Sequence, residues 1–244
     1  MKLRKMKSNP EKAQRHALGW SPATLGLCLL SMALSGCMTA RVEEAKDAST
    51  GIKAGESIVI FASSYHSGNP AEDGLIACVT KKVQAGTQKL QVHPESEFRD
   101  ALFPWLEPRT APRTAEDLPT LLERPGVGDR VKERGIRYIV WIRGDTERTS
   151  SGGSLSCAVG PGGGGCFGLA WWENLSAYDA TIWDLEDGTR AGKVSTNING
   201  TSVIPAVVIP LPLIARTQAA ACKGLANQLK SFITETPAAT RKST

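Results

Sequence analysis

The chain has 244 residues, of which 41% are apolar and 22% charged. That is enough for one sizeable domain and excludes wholesale disorder. The net charge of +5 is confined to the start, where Lys2, Arg4, Lys5, Lys7, Lys12 and Arg15 face only Glu11 before residue 16; the rest of the chain is formally neutral. The electrostatic footprint of a DNA or RNA binder is therefore missing, and no nucleic-acid partner is expected.

After the cationic stretch, residues 23–34 form an apolar run of twelve. A spanning helix needs roughly 20 such residues, whereas a charged segment followed by about 7–15 apolar ones has the pattern of a secretory signal. The run ends in Leu34-Ser35-Gly36-Cys37, which resembles the lipobox of bacterial lipoproteins at every position. The resemblance implies that residues 1–36 are a cleaved signal peptide. It also implies a diacylglyceryl group on the Cys37 sulfur and a palmitate-type acyl chain on its new amino group. Met38 follows in place of the aspartate that retains such proteins at the inner membrane. The implied location is the outer membrane, with the domain facing the periplasm and the membrane reached through Cys37. Acyl chains contribute roughly 0.8 kcal/mol per buried CH₂, and two or more hold a protein stably to a bilayer.

Residues 37–56 are small, polar and charged, and are expected to form a lipidated tether that keeps the body within roughly 25 Å of the membrane. The body is expected to span residues 57–235. Residues 57–62 (Ser-Ile-Val-Ile-Phe-Ala) read as a buried strand. Residues 71–83 show helical spacing through Leu75, Cys78, Val79 and Val83, residues 90–93 alternate like a strand, and 95–102 suit a short helix. Pro104, Pro108 and Pro112 make residues 104–114 an extended connector. A short helix over 115–123 stops at Pro125-Gly126, and another turn or two over 129–133 is closed by Gly135. Residues 137–143 read as a central strand. Asp187-Gly188 between the strand-like runs 177–185 and 191–197 is a strong hairpin signal. The last helix carries Ile214, Cys222, Leu225, Leu229, Phe232 and Ile233 on one side, and residues 236–244 form a polar tail.

Strands and helices interleave without a strict βαβ repeat, so the expected fold class is α+β, a single domain with a mixed sheet packed by helices. Two stretches, Val131-Lys132-Glu133-Arg134-Gly135-Ile136-Arg137-Tyr138-Ile139-Val140 and Trp183-Asp184-Leu185-Glu186-Asp187-Gly188, are similar to the periplasmic α+β domain of curli-secretion and Tol-type lipoproteins. The resemblance implies a helix running into a strand in the first stretch and a hairpin in the second. Function does not follow from such a fold.

Of six cysteines, Cys28 leaves with the signal and Cys37 takes the lipid, leaving Cys78, Cys157, Cys166 and Cys222. An even remainder in an oxidising compartment suggests disulfides. Cys157 and Cys166 flank a glycine-rich stretch and are the preferred pair. Cys78 and Cys222 fall on predicted helices; they pair if those helices pack side by side, and otherwise are buried thiols. With no Cys-x-x-Cys and no histidine near the loop cysteines, zinc is the weaker alternative and no metal or other cofactor is expected.

Ser64, His66 and Asp73 are close in sequence and would equip a lipid-anchored hydrolase, the competing reading. No Gly-x-Ser-x-Gly elbow is present, and polar residues of a turn are the preferred reading. Residues 152–168 hold eight glycines but lack the Gly-Lys-Ser/Thr of a phosphate loop, so nucleotide binding is rejected. A flexible flap or long hairpin connection is expected there. Trp171 and Trp172 fall on opposite faces of a strand, one expected in the core and the other open to a partner. Residues 203–215 are nearly all apolar but broken by Pro205, Pro210 and Pro212, which excludes a spanning helix. They are expected as a buried wall of the core; exposed, they would mark protein or membrane contact, and as a pocket wall they would serve a small apolar ligand. The preferred reading is a non-catalytic envelope interaction or assembly component with an unidentified envelope protein as partner. Its contact candidates are Trp171, Trp172, Val207, Ile209 and Leu211.

Overall fold

A computed structural model describes residues 38–62, 71–107 and 109–234. Six strands form one mixed sheet: β1 (Met38–Lys46), β2 (Ser57–Ala62), β3 (Val92–His93), β4 (Ile136–Gly160), β5 (Gly163–Asp184) and β6 (Thr189–Pro210), in the spatial order β1-β6-β5-β4-β2-β3. β2 runs parallel to both β3 and β4, and the remaining neighbours are antiparallel. The helices are α1 (Asp73–Val83), α2 (Glu95–Ala101), α3 (Leu118–Leu122), α4 (Val127–Lys132) and α5 (Thr217–Thr234), with a 3₁₀ turn at Ala115–Asp117 leading into α3. The α+β class, with helices packed on a mixed sheet, is the one expected.

The centre of the sheet is apolar on both faces, as strands covered on both sides must be. Alternation sends Ile58 and Ile60 of β2, with Tyr138, Val140 and Ile142 of β4, into one core against α1 and α5. Their neighbours Val59, Phe61, Ile139 and Trp141 enter a second core beneath α2, α3 and α4. Helix α5 buries Ala221, Cys222, Leu225, Ala226, Leu229, Phe232 and Ile233 at the spacing of one helical face. Helices α1 and α5 lie side by side and are joined by the Cys78–Cys222 disulfide, with 6.2 Å between the two Cα atoms.

Residues 131–140 run from the end of α4 into β4, and residues 183–188 run from the end of β5 through the β5–β6 turn. In that turn Asp184, 2% exposed, accepts hydrogen bonds from the backbone N–H groups of Glu186 (2.8 Å) and Asp187 (3.4 Å). Its second oxygen takes Arg137 Nη2 at 2.7 Å. The aspartate of this motif is thus a turn-former tied to β4.

Three expectations are corrected. Residues 38–46 are no tether but an edge strand, paired with β6 from Met38↔Gly200 to Lys46↔Gly192. All nine of its residues are exposed, so it carries no buried stripe by which a sequence reader finds a strand. Ile214 lies before α5, 60% exposed, rather than on its apolar side. The glycine-rich stretch 152–168 is mostly strand: β4 and β5 continue through it to a turn at residues 161–162.

Candidate functional site

Beyond Ile142, the last β4 residue paired with β2, strands β4, β5 and β6 run on together, and from the Ser151–Trp172 pair outward they form an arm. Ten residues of β5 from Trp172 outward to Gly163 make this arm about 30 Å long at the usual strand rise. Its sequence explains its extended form. Gly153 and Gly168 sit at φ +87° and +139°, where a Cβ would lie 2.0 Å from the Leu169 carbonyl oxygen and 2.2 Å from that of Ser154. At these positions glycine allows a local backbone that any side chain would break. The Cys157–Cys166 disulfide links two residues directly opposite each other in the β4–β5 register, Cα–Cα 4.0 Å.

The arm presents apolar side chains to solvent. Phe167 pairs with Val207, Leu169 with Pro205 and Trp171 with Val203, so alternation puts all six on one face. Phe167 is 74% and Val207 77% exposed. Trp171 is half-buried because its indole lies over Gly152, where an added Cβ would come within 3.0 Å of the ring. Trp172 points to the other face, also half-buried, with the Arg148 guanidinium 5.6 Å from its ring centre. The expectation of opposite faces holds, but neither tryptophan is in the core.

Residues 203–215 were expected to be a buried wall, and most of that wall is surface. Val207, Val208, Ile209, Leu211 and Ile214 are exposed, while Ala206 and Ala215 are buried. The reason is geometric: β6 follows β5 out along the arm, and the prolines turn the chain back alongside it. Val203 and Leu213 exchange backbone hydrogen bonds of 2.9 and 2.8 Å. The Ser202 hydroxyl takes the Ala215 N–H at 3.0 Å. At the bend Val208 holds φ 83°, a conformation rare for a β-branched residue.

Charge marks the arm's limit. Residues 149–172 and 194–215 contain no Asp, Glu, Lys or Arg in a chain that is 22% charged. Charged residues resume at its root with Glu147, Arg148, Glu173 and Lys193. Val159 and Leu169, exposed on the arm, have no motif in the sequence, and Phe167 stands out there only as aromatic area just before Trp171 and Trp172; the uncharged runs are the signal that finds all three.

A buried polar chain fixes the root. Tyr178 donates to Glu72, and Thr146 Oγ1 lies 2.9 Å from Tyr178 Oη and 2.8 Å from Ser176 Oγ. Ser176 Oγ is in turn 2.9 Å from Thr217 Oγ1 at the start of α5. Burial, reinforced by the hydrogen bond to Glu72, pushes the Tyr178 phenol above the ordinary tyrosine value of 10.0. The fold therefore favours the protonated phenol. Its stabilisation is complete below about pH 10 and declines as pH rises toward the raised folded value. Unfolding free energies measured between about pH 9 and 11 should fall with pH in the wild type, and more gently in Tyr178→Phe.

Of the hydrolase candidates only Asp73 falls within the described residues. Ser64 and His66 lie outside the described residues, and Asp73 is an exposed residue opening α1, where its charge suits the helix N-terminus. His93 Nε2 is 4.0 Å from Glu97. Among the described residues no group of three or more His, Cys, Asp or Glu could hold a metal. A hollow of about 260 Å³ lies between α3, α4 and the β5–β6 turn, lined by Leu122, Val131, Lys132 and Gly188 among others and by nothing from 203–215. Among the described residues no helix is long and apolar enough to cross a membrane. Cys37 also lies outside the described residues.

No family model and no curated protein matches the chain. Among solved structures it is similar to the PelC dodecamer from Paraburkholderia phytofirmans, with 11% identity over 82% of this chain and 99% of that one, at a TM-score of 0.35. A point variant of the same dodecamer gives 12% identity over 82% and 100% of the two chains, also at 0.35.

Proposed function

We propose that the chain is a lipid-anchored protein of the outer membrane, a non-catalytic contact and assembly component of the envelope whose working surface is the uncharged arm. The observation that carries this reading is the lipobox Leu34-Ser35-Gly36-Cys37 ending one residue before a strand that pairs at the root of the arm. Two features support it. Exposed apolar area of this extent marks contact with a protein or membrane rather than ordinary surface. Two disulfides suit an oxidising compartment such as the periplasm. In this reading Trp171, Val207, Ile209 and Leu211 belong to the contact surface, Trp172 backs it from the other face, and no bound cofactor is called for.

The test is fractionation of cells expressing the wild type and Cys37→Ala. The wild type is expected in the outer-membrane fraction as a shortened, acylated species, and the variant as unprocessed precursor. Equal processing and equal distribution of the two would overturn the reading.

A further inference from the structure

We infer that the arm's Phe167–Val207 face is a membrane-docking surface that meets the acyl chains of the bilayer to which Cys37 is attached. This rests on the lipid-anchor reading and names the partner of the arm.

The direction of the chain carries the argument. β1 is antiparallel to β6, with Met38 opposite Gly200 and Lys46 opposite Gly192. Followed backwards, β1 therefore runs toward the arm's tip, and residue 37 is one peptide unit, about 3.8 Å, from Met38. An anchor there leaves no long tether: the membrane lies beside the arm's root. From Gly200 to Val207 the strand covers about 23 Å in the same direction. Over that distance the face offers Phe167, Leu169, Trp171, Val203, Pro205 and Val207, and no charge on any arm strand opposes transfer into lipid. Charged residues appear only at the root, at Glu147, Arg148, Glu173, Lys193 and Arg216.

The depth of docking follows from the open edge of β4. Among the described residues no strand pairs with that edge past Ile142, and open sheet edges are not tolerated in hydrocarbon. The arm therefore lies at the boundary of headgroups and acyl chains, side chains inward and backbone edge within reach of water, rather than spanning the bilayer.

The mature protein, reconstituted into phosphatidylethanolamine–phosphatidylglycerol vesicles brominated on their acyl chains close to the headgroups, tests this through tryptophan fluorescence, with flotation read on the same sample. Quenching relative to unbrominated vesicles is expected in the wild type. Trp171→Phe should remove most of it. Phe167→Asp with Val207→Asp should abolish it while the protein still floats through Cys37. Both positions are exposed, and an unchanged near-ultraviolet circular dichroism spectrum controls for folding. Quenching that is absent in a floating wild type, or unchanged by the paired aspartates, overturns the docking surface. Cross-linking of Val207→Cys between copies without quenching gives the face to a second copy and overturns it as well. A protein that neither floats nor is quenched ends both readings, whereas one that floats and is quenched although its amino terminus carries no acyl chains ends the anchor alone.

Discussion

Replacing Cys78 and Cys222 together by alanine is expected to lower the unfolding free energy by about 3–5 kcal/mol. The two residues are 144 apart in sequence, so their bond closes more than half of the chain into a loop. The chain-entropy model gives such a loop close to 5 kcal/mol, an upper figure because an unfolded chain keeps residual structure. The bond also ties α1 to α5, the two helices that cover one face of the sheet, and Cys222 is 1% exposed within that core. Urea unfolding under non-reducing conditions measures the loss. A change below about 1 kcal/mol would mean that the helices are held by packing alone. Cys157→Ala with Cys166→Ala should cost less, under about 3 kcal/mol, since the pair is only nine residues apart in strands already hydrogen-bonded.

Gly192→Ala is expected to destabilise the protein by about 2–4 kcal/mol, the cost of overpacking a site with no room to relax. A Cβ at this position would stand 2.3 Å from the Ala45 carbonyl oxygen and 2.7 Å from Phe232 Cζ. The first belongs to β1, which pairs with β6 here, and the second to α5 in the core. Strand and helix cannot both give way without loss of pairing or of packing. Denaturant unfolding gives the magnitude, and faster amide exchange in β1 would locate it. Gly51→Ala, where nothing lies within 4 Å of an added Cβ, should change stability by under about 0.5 kcal/mol. Equal effects at the two sites would contradict the tight three-way junction at Gly192.

The elements legible in the sequence are those whose neighbours impose a pattern. β2 and the start of β4 are unbroken β-branched and aromatic runs because helices cover both faces. α5 shows its buried residues at helical spacing because one side alone meets the sheet. Cys78 and Cys222 could be foreseen as partners because both fall on such helices. β1 left no trace, since an edge strand with every residue exposed has no apolar period. The arm is hidden in the sequence for a related reason. Glycines at 152, 153, 162–165 and 168 signal turns in most chains, whereas here several stand within paired strands where backbones approach closely. Residues 203–215 looked like core because apolar runs generally are buried; their exposure depends on how far β5 and β6 outrun the helices, which is a matter of tertiary arrangement. The evenness of charge along the body and its complete absence from the arm were both visible in the amino-acid sequence.

The most direct test is the intact mass of the protein's amino-terminal peptide after extraction from membranes. A chain that starts at residue 37, with a diacylglyceryl thioether and an amide-linked acyl group, is the predicted result. An unmodified thiol at that residue, or a chain still beginning at Met1, would contradict it.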